Sequence, residues 1–205
     1  TLILALPFNQ LSAQDFFEFP AASPFNGKVV QKPDSAWSYA FLTAGHLYGA
    51  HANAHSLYPA ASFLGNFKRI NSNPVEMLIS LGDLHRSSND PKIIAATQLA
   101  MKGLDIPVYN VPGNHDLDNR EAYEKAFGIA RNTFFAKQGE ATNHFGFFIK
   151  DDYYLLLDTE LLLEKRESDV SKLIGRETAR LATRKVKPRN IFVFSHRLLW
   201  ALCDD

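Results

Sequence analysis

Cysteine is almost missing from this sequence: Cys203 is the single one among 205 residues. That excludes a disulfide within the chain and any thiolate metal cluster, so metal ligands, if there are any, must be His, Asp, Asn or Glu. An excess of charge is missing too. Lys and Arg total 22 and Asp and Glu total 22, so there is neither the basic balance of a nucleic-acid-binding surface nor an acidic solvating tail, and an anionic ligand would have to be held by local groups. Past the N-terminus no segment approaches the roughly 20 apolar residues of a membrane helix, and no internal repeat or low-complexity stretch interrupts the chain. What is present, a hydrophobic fraction of 46%, suits one domain with a sizeable core. Oligomeric state leaves no signature.

The N-terminus divides from the rest. Thr1 to Phe8 is a short apolar run followed by Asn9 to Ala13, which resembles the end of a signal peptide and sets the expectation of a secreted or periplasmic protein, with residues 1–13 as the remnant. Residues 14–35 lack periodicity and are expected to be an extended lead-in, packed across a domain that spans 36–205.

Within that domain apolar strand patterns end repeatedly in polar clusters. A strand over 36–43 runs into His46 and Tyr48. A helix is expected over 51–67, where His51 and His55 stand one turn apart; such a pair could bind a metal, but with no acidic partner nearby a solvent-facing pair is the expectation. Residues 75–81 form a second strand ending at Asp83 and His85. Asp90-Pro91 starts a helix that Gly103 closes. Ile106 to Val111 is β-branched and aromatic, stops at Pro112-Gly113, and delivers Asn114, His115 and Asp116. A short helix spans 118–127, and a basic and aromatic connection 130–138. Residues 142–149 and 153–158 read as a β-hairpin, with His144 at its surface and Asp158-Thr159 as a cap. The stretch 161–185 is helical in period, with Leu173, Ile174 and Leu181 inward, and 190–195 is a last strand finishing at His196. Alternating strands and helices predict an α/β protein, whose sites lie at the C-terminal strand ends. Asp, Asn and His converging there make a credible centre for Zn, Mn or Fe.

Gly82-Asp83, Gly113-Asn-His-Asp116 and Ser195-His196 together resemble the successive motifs of the calcineurin-like metallophosphoesterase family, over roughly Tyr39 to the C-terminus. The resemblance implies a four-layer α/β/β/α sandwich of two mixed β-sheets flanked by helices. It implies a centre of two divalent or trivalent ions that hydrolyses phosphate mono- or diesters by a metal-bound hydroxide. On that pattern Asp83 bridges the metals, Asn114 and His196 hold the second, His115 meets the phosphoryl oxygens or the leaving group, and Asp116 orients His115. His85 and Arg86 are expected either to line the phosphate pocket or to be solvent-exposed loop residues, and Arg120 either to bind substrate phosphate or to pair with Glu124. The sequence departs from the pattern at its first motif. Asp-x-His-Gly becomes His46-Leu-Tyr48-Gly49, which lowers the negative charge for the first metal and makes Tyr48 a strong ligand only as phenolate, favouring ferric iron. Gly-Asp-x-x-Asp becomes Gly82-Asp-Leu-His-Arg86. The closing Gly-His-x-His is not met before Asp205, so the sequence is expected to be a fragment, incomplete at the C-terminus. A phosphoesterase is the expectation; a non-catalytic binding or scaffold protein that has lost its first metal is the alternative.

Overall fold

In a computed structural model residues 22–31, 39–128, 143–164 and 167–198 are described. Residues 1–13, the 130–138 connection, the start of the first strand and Cys203 lie outside them.

Three short strands, β1 (Phe41–Ala44), β2 (Met77–Ser80) and β3 (Val108–Asn110), form a parallel sheet in the order β1-β2-β3. Ala44 pairs with Ser80 and Ser80 with Asn110, so all three end at one level. Both faces of this sheet are covered, which is why Met77-Leu-Ile reads as an unbroken apolar run. Met77, Ile79 and Tyr109 pack toward a second sheet, while Leu78 and Val108 pack with Leu84, Met101, Tyr123 and Phe127 on the opposite side.

The expected helix over 51–67 is not formed. Residues 51–60 are turns and bends, followed by two short helices, α1 (Ala61–Leu64) and α2 (Phe67–Asn71). Local chemistry explains the difference: Pro59 disfavours helix at Tyr58, and the Asn53 side chain accepts from the His55 amide at 2.9 Å, a turn that competes with helix. His51 and His55 therefore form no helical pair. Helix α3 (Pro91–Met101) starts as expected, with the Asp90 carboxylate accepting from Lys92 N at 2.8 Å and proline at the first position. In α4 (Arg120–Phe127) the cap is Asn119, which accepts from Ala122 N at 3.1 Å.

The second sheet is mixed. Strands β4 (Phe145–Ile149) and β5 (Asp152–Leu157) form the antiparallel hairpin, and β6 (Asn190–Ser195) pairs parallel with β5. Tyr154 joins the sheets, stacked on Phe147 at 5.1 Å and edge-on to Phe41 at 5.4 Å. The segment expected as one helix is divided into α5 (Glu160–Leu163) and α6 (Glu167–Thr183). The Tyr153 hydroxyl bonds Glu177 of α6, and Arg184 stacks its guanidinium 3.8 Å over Phe148. Leu181 packs against the core, but Ile174, expected inward, is 43% exposed, and the Leu173 side chain is outside the description. His144 is half-buried rather than on the surface. Among the described residues the architecture is thus α/β, with two three-stranded sheets and helices, the first sheet parallel there instead of mixed. Of the lead-in, Ser23 Oγ donates to the Val108 carbonyl at 2.6 Å and Phe25 stacks on Phe127 at 4.5 Å.

Candidate functional site

The ends of β2 and β3 turn into one another around a single buried carboxylate. Asp116 Oδ2 accepts from the amides of Asp83 (2.8 Å) and Gly113 (2.9 Å) and from Asn110 Nδ2 (3.1 Å), and Oδ1 accepts from Leu84 N (2.9 Å). Burial pushes the Asp116 carboxyl up, against the opposing pull of His85 and of the amide bonds from Gly113 and Asn110. Asn110 completes the clasp, accepting from Gly82 N at 3.2 Å and donating to the Tyr123 hydroxyl at 2.8 Å. There is no room for side chains at the two glycines. Gly82 takes φ +92°, and a Cβ there would collide with the His196 ring; a Cβ on Gly113 would collide with the Asp83 carboxylate and His196.

The clasp presents Asp83 to its neighbours. Its Oδ1 accepts from His115 N at 3.2 Å and lies 3.9 Å from His196 Nε2, while its Oδ2 lies 3.0 Å from His46 Nδ1. Two carbonyls fix the imidazoles. His196 Nδ1 donates to Leu81 O at 2.7 Å and His115 Nδ1 donates to Arg86 O at 2.9 Å, which leaves each Nε2 to face the site. The His115 Nε2 meets the Tyr48 hydroxyl at 3.2 Å, and the rings of His46, Tyr48, His115 and His51 follow one another with centroids 4.8, 4.9 and 5.1 Å apart. Burial, with Asp83 adding to it, raises the Tyr48 phenol above its ordinary value, so it is a neutral hydroxyl and not the phenolate that would make it a strong ligand. Asn114 is exposed, its Oδ1 3.5 Å from Arg197 Nη2.

Four expected roles change or are decided between their alternatives, Arg120 in favour of its pair with Glu124. Asp116 does not orient His115: its carboxylate is spent on main-chain amides, and the Arg86 carbonyl holds the His115 ring instead. Arg86 thus reaches the site through its main chain, while its guanidinium donates to Asn53 O at 3.2 Å. His85 does not line a phosphate pocket. It is 0% exposed, bonds Ser88 Oγ through Nε2 at 2.8 Å, and packs against Tyr123 and Phe127. Its Nδ1 is buried without a partner among the described residues, in keeping with a pKa lowered first of all by burial. Arg120 is also unavailable to a substrate: Nη1 contacts Asp158 (2.5 Å) and Glu124 (3.4 Å), and Nε and Nη2 contact Glu164 at 3.0 and 2.7 Å. Asp158 Oδ1 in turn accepts from Glu160 N at 3.2 Å, a capping contact.

The sequence reading missed Asn110, Arg197 and Glu160, while His51 is exposed as expected and lies beside His115. Asn110 at a strand end and Arg197 directly after His196 were visible signals; the Arg197 partner Glu160, distant in sequence, had none.

The donor set matches one cation better than two. His196 Nε2 and Asp83 Oδ1, at 3.9 Å, are slightly wider apart than the roughly 3.4 Å between two donors of one tetrahedral ion, and Asn114, in the same turn as His115, offers an amide oxygen as a further donor. On the other side a neutral phenol and an imidazole already bonded to Asp83 stand where a second cation needs anionic donors. Among the described residues no group of three or more His, Cys, Asp or Glu side chains gathers that could hold an ion. No described helix is long and apolar enough to cross a membrane. Residues 51–200 match the family model for calcineurin-like phosphoesterases. A search of curated proteins found no match.

Proposed function

The chain belongs to the calcineurin-like phosphoesterase family, and from that premise we propose that it hydrolyses phosphate esters in a metal-dependent reaction around Asp83, His115 and His196. The carrying observation is that Asp83 and two histidines from separate strand ends share one rim, each imidazole with Nδ1 on a carbonyl and Nε2 toward the site. Asp83, Asn114 and His196 would hold one cation, Mn, Fe or Zn. The family's second cation would share Asp83 with His46 and Tyr48, where the donors suit it less. When bound, the cation supplies Lewis-acid polarisation of the phosphoryl group and lowers the pKa of an attacking water.

The protein's own contribution is orientation and proton transfer. The Arg86 carbonyl fixes the His115 ring, so that a proton on Nε2 can pass to the leaving oxygen, with the Tyr48 hydroxyl as its neighbour. The Asp116 clasp holds Asp83 and His115 in mutual register, which contributes through positioning and not through proton transfer. The test is hydrolysis of p-nitrophenyl phosphate and its bis-ester by protein supplied with Mn, Fe or Zn, with metal content measured alongside. Turnover that Asp83→Asn and His115→Ala abolish is the expected result; none on a broad phosphoester panel, with no bound metal, would sink the reading. The Tyr48 phenol at 3.2 Å from His115 Nε2 favours a second reading, a non-catalytic binding protein of this fold, which retains phosphate binding without turnover.

A further inference from the structure

Arg197 follows the strand-end His196 and turns its guanidinium onto Glu160, a side chain only 5% exposed at the start of α5. Nε and Nη2 bond the two carboxylate oxygens at 2.8 and 3.0 Å, and Arg197 N donates to Thr159 Oγ1 at 3.3 Å. Paired bonds of this kind fix the guanidinium plane. Nη2 also reaches Asn114 Oδ1 at 3.5 Å, which puts the group beside the turn that carries His115. Nη1 has no bond to any described residue, and the side chain is 32% exposed. A charge held rigidly by a buried glutamate contributes little to stability over an apolar pair of the same volume. Beside a phosphate site it has a direct use.

Resting on the phosphoesterase reading, we propose that Arg197 is a substrate-binding residue that selects phosphomonoesters, with Glu160 as its positioning residue. A monoester dianion has three non-bridging oxygens; a diester has two, and carries an organic substituent in the third position. With two of those oxygens engaged at the centre, the third of a monoester can accept from Nη1. A diester turns carbon toward the same donors and leaves them unmet, so the guanidinium both attracts the monoester and penalises its competitor.

The experiment uses the full-length protein loaded with Mn(II), with p-nitrophenyl phosphate and bis(p-nitrophenyl) phosphate as substrates and inorganic phosphate binding followed by calorimetry. Loss of one or two charge-assisted bonds lowers kcat/KM of Arg197→Ala for the monoester by about 10- to 100-fold, chiefly through KM. Phosphate binding weakens in parallel, and the diester changes by less than about threefold. Glu160→Gln shifts KM the same way by a smaller factor with kcat retained, as expected of a residue that acts through Arg197. Because Arg197→Ala strands a buried carboxylate, the double variant Glu160→Gln/Arg197→Gln, a neutral hydrogen-bonding pair, repeats the measurement in a fold free of that charge. If the single and double variants keep monoester preference and phosphate affinity within about twofold, the role of Arg197 is overturned while the phosphoesterase stands. Wild-type protein that neither hydrolyses an ester nor binds phosphate overturns both.

Discussion

The turn after β2 and the turn after β1 meet at Asp83 but are held in different ways. The first, Gly82 to His85, is gripped from beneath by the buried Asp116 carboxylate and by Asn110, with no space at Gly82 or Gly113 for a Cβ. The second, Gly45 to His51, is tied by main-chain bonds, His46 N to Gly82 O at 2.9 Å and Tyr48 N to Asp83 O at 3.1 Å, with side-chain contacts from His46 to Asp83 and from the buried Tyr48 to His115, and leaves the His46 side chain 55% exposed. Side-chain identity is therefore structural beneath the first turn, whereas on the second His46 is open to change and the buried Tyr48 is not. The family's residues are kept on the gripped side at Gly82-Asp83 and Gly113-Asn-His-Asp116 and depart at Arg86, while on the other side His46 and Tyr48 replace both motif positions.

The contrast predicts a descending series. Asp116→Ala abandons several buried amides at once and should cost about 3–5 kcal/mol of unfolding free energy in denaturant titrations, with Asp116→Asn losing less. A cost below 1 kcal/mol would remove the clasp from the comparison. Gly113→Ala, which drives a methyl into Asp83 and His196, should lower kcat/KM by a factor on the order of 100 through displaced reacting groups; rates like the wild type's would mean the turn is as pliable as its neighbour. The His85 effect is smaller and depends on pH. Burial lowers its pKa from the ordinary 6.5, so the folded protein takes up that proton less readily than the unfolded chain. This contribution to stability is complete above pH 6.5 and is lost as pH falls through the lowered value. Stability of His85→Gln should fall less between pH 7 and 5 than that of the wild type, and parallel curves would assign the acid sensitivity elsewhere. Smallest is His46→Asp, an exposed position at φ +55° that Asp tolerates. It exchanges the imidazole bonded to Asp83 for a second carboxylate, so the metal-free protein should lose about 1 kcal/mol, while the metal bound per chain rises by elemental analysis. A large destabilisation there would erase the difference between the turns.

Strand ends were legible because each combines a local apolar pattern with an abrupt stop, as at Val111-Pro112 and Phe194-Ser195, and Asp90-Pro91 fixed a helix start from adjacent residues alone. The failures share a cause. Over 51–67 an alanine-rich composition concealed Asn53 and Pro59, whose side-chain and ring chemistry decide the turns. Asp116 stands next to His115 in sequence, and adjacency suggested a pair; whether its carboxylate faces the imidazole or the amides beneath depends on how β2 and β3 pack, which no local pattern encodes. Arg120 is the same case, drawn away by Asp158 and Glu164 from the opposite sheet. Glu160 and Arg197 meet only because β5 and β6 run parallel and end together.

That common ending has a further consequence. Ala44, Ser80 and Asn110 are register partners in one sheet, and Leu157 pairs with Ser195 in the other. Each crossover leaves one rim and returns to the far end of the next strand. Residues inserted or deleted in the α3 or α6 crossovers would be absorbed away from the rim without moving Asp83, His115 or His196. Length variation among relatives should accumulate in those connections, and a grafted loop or fused domain is best spliced there.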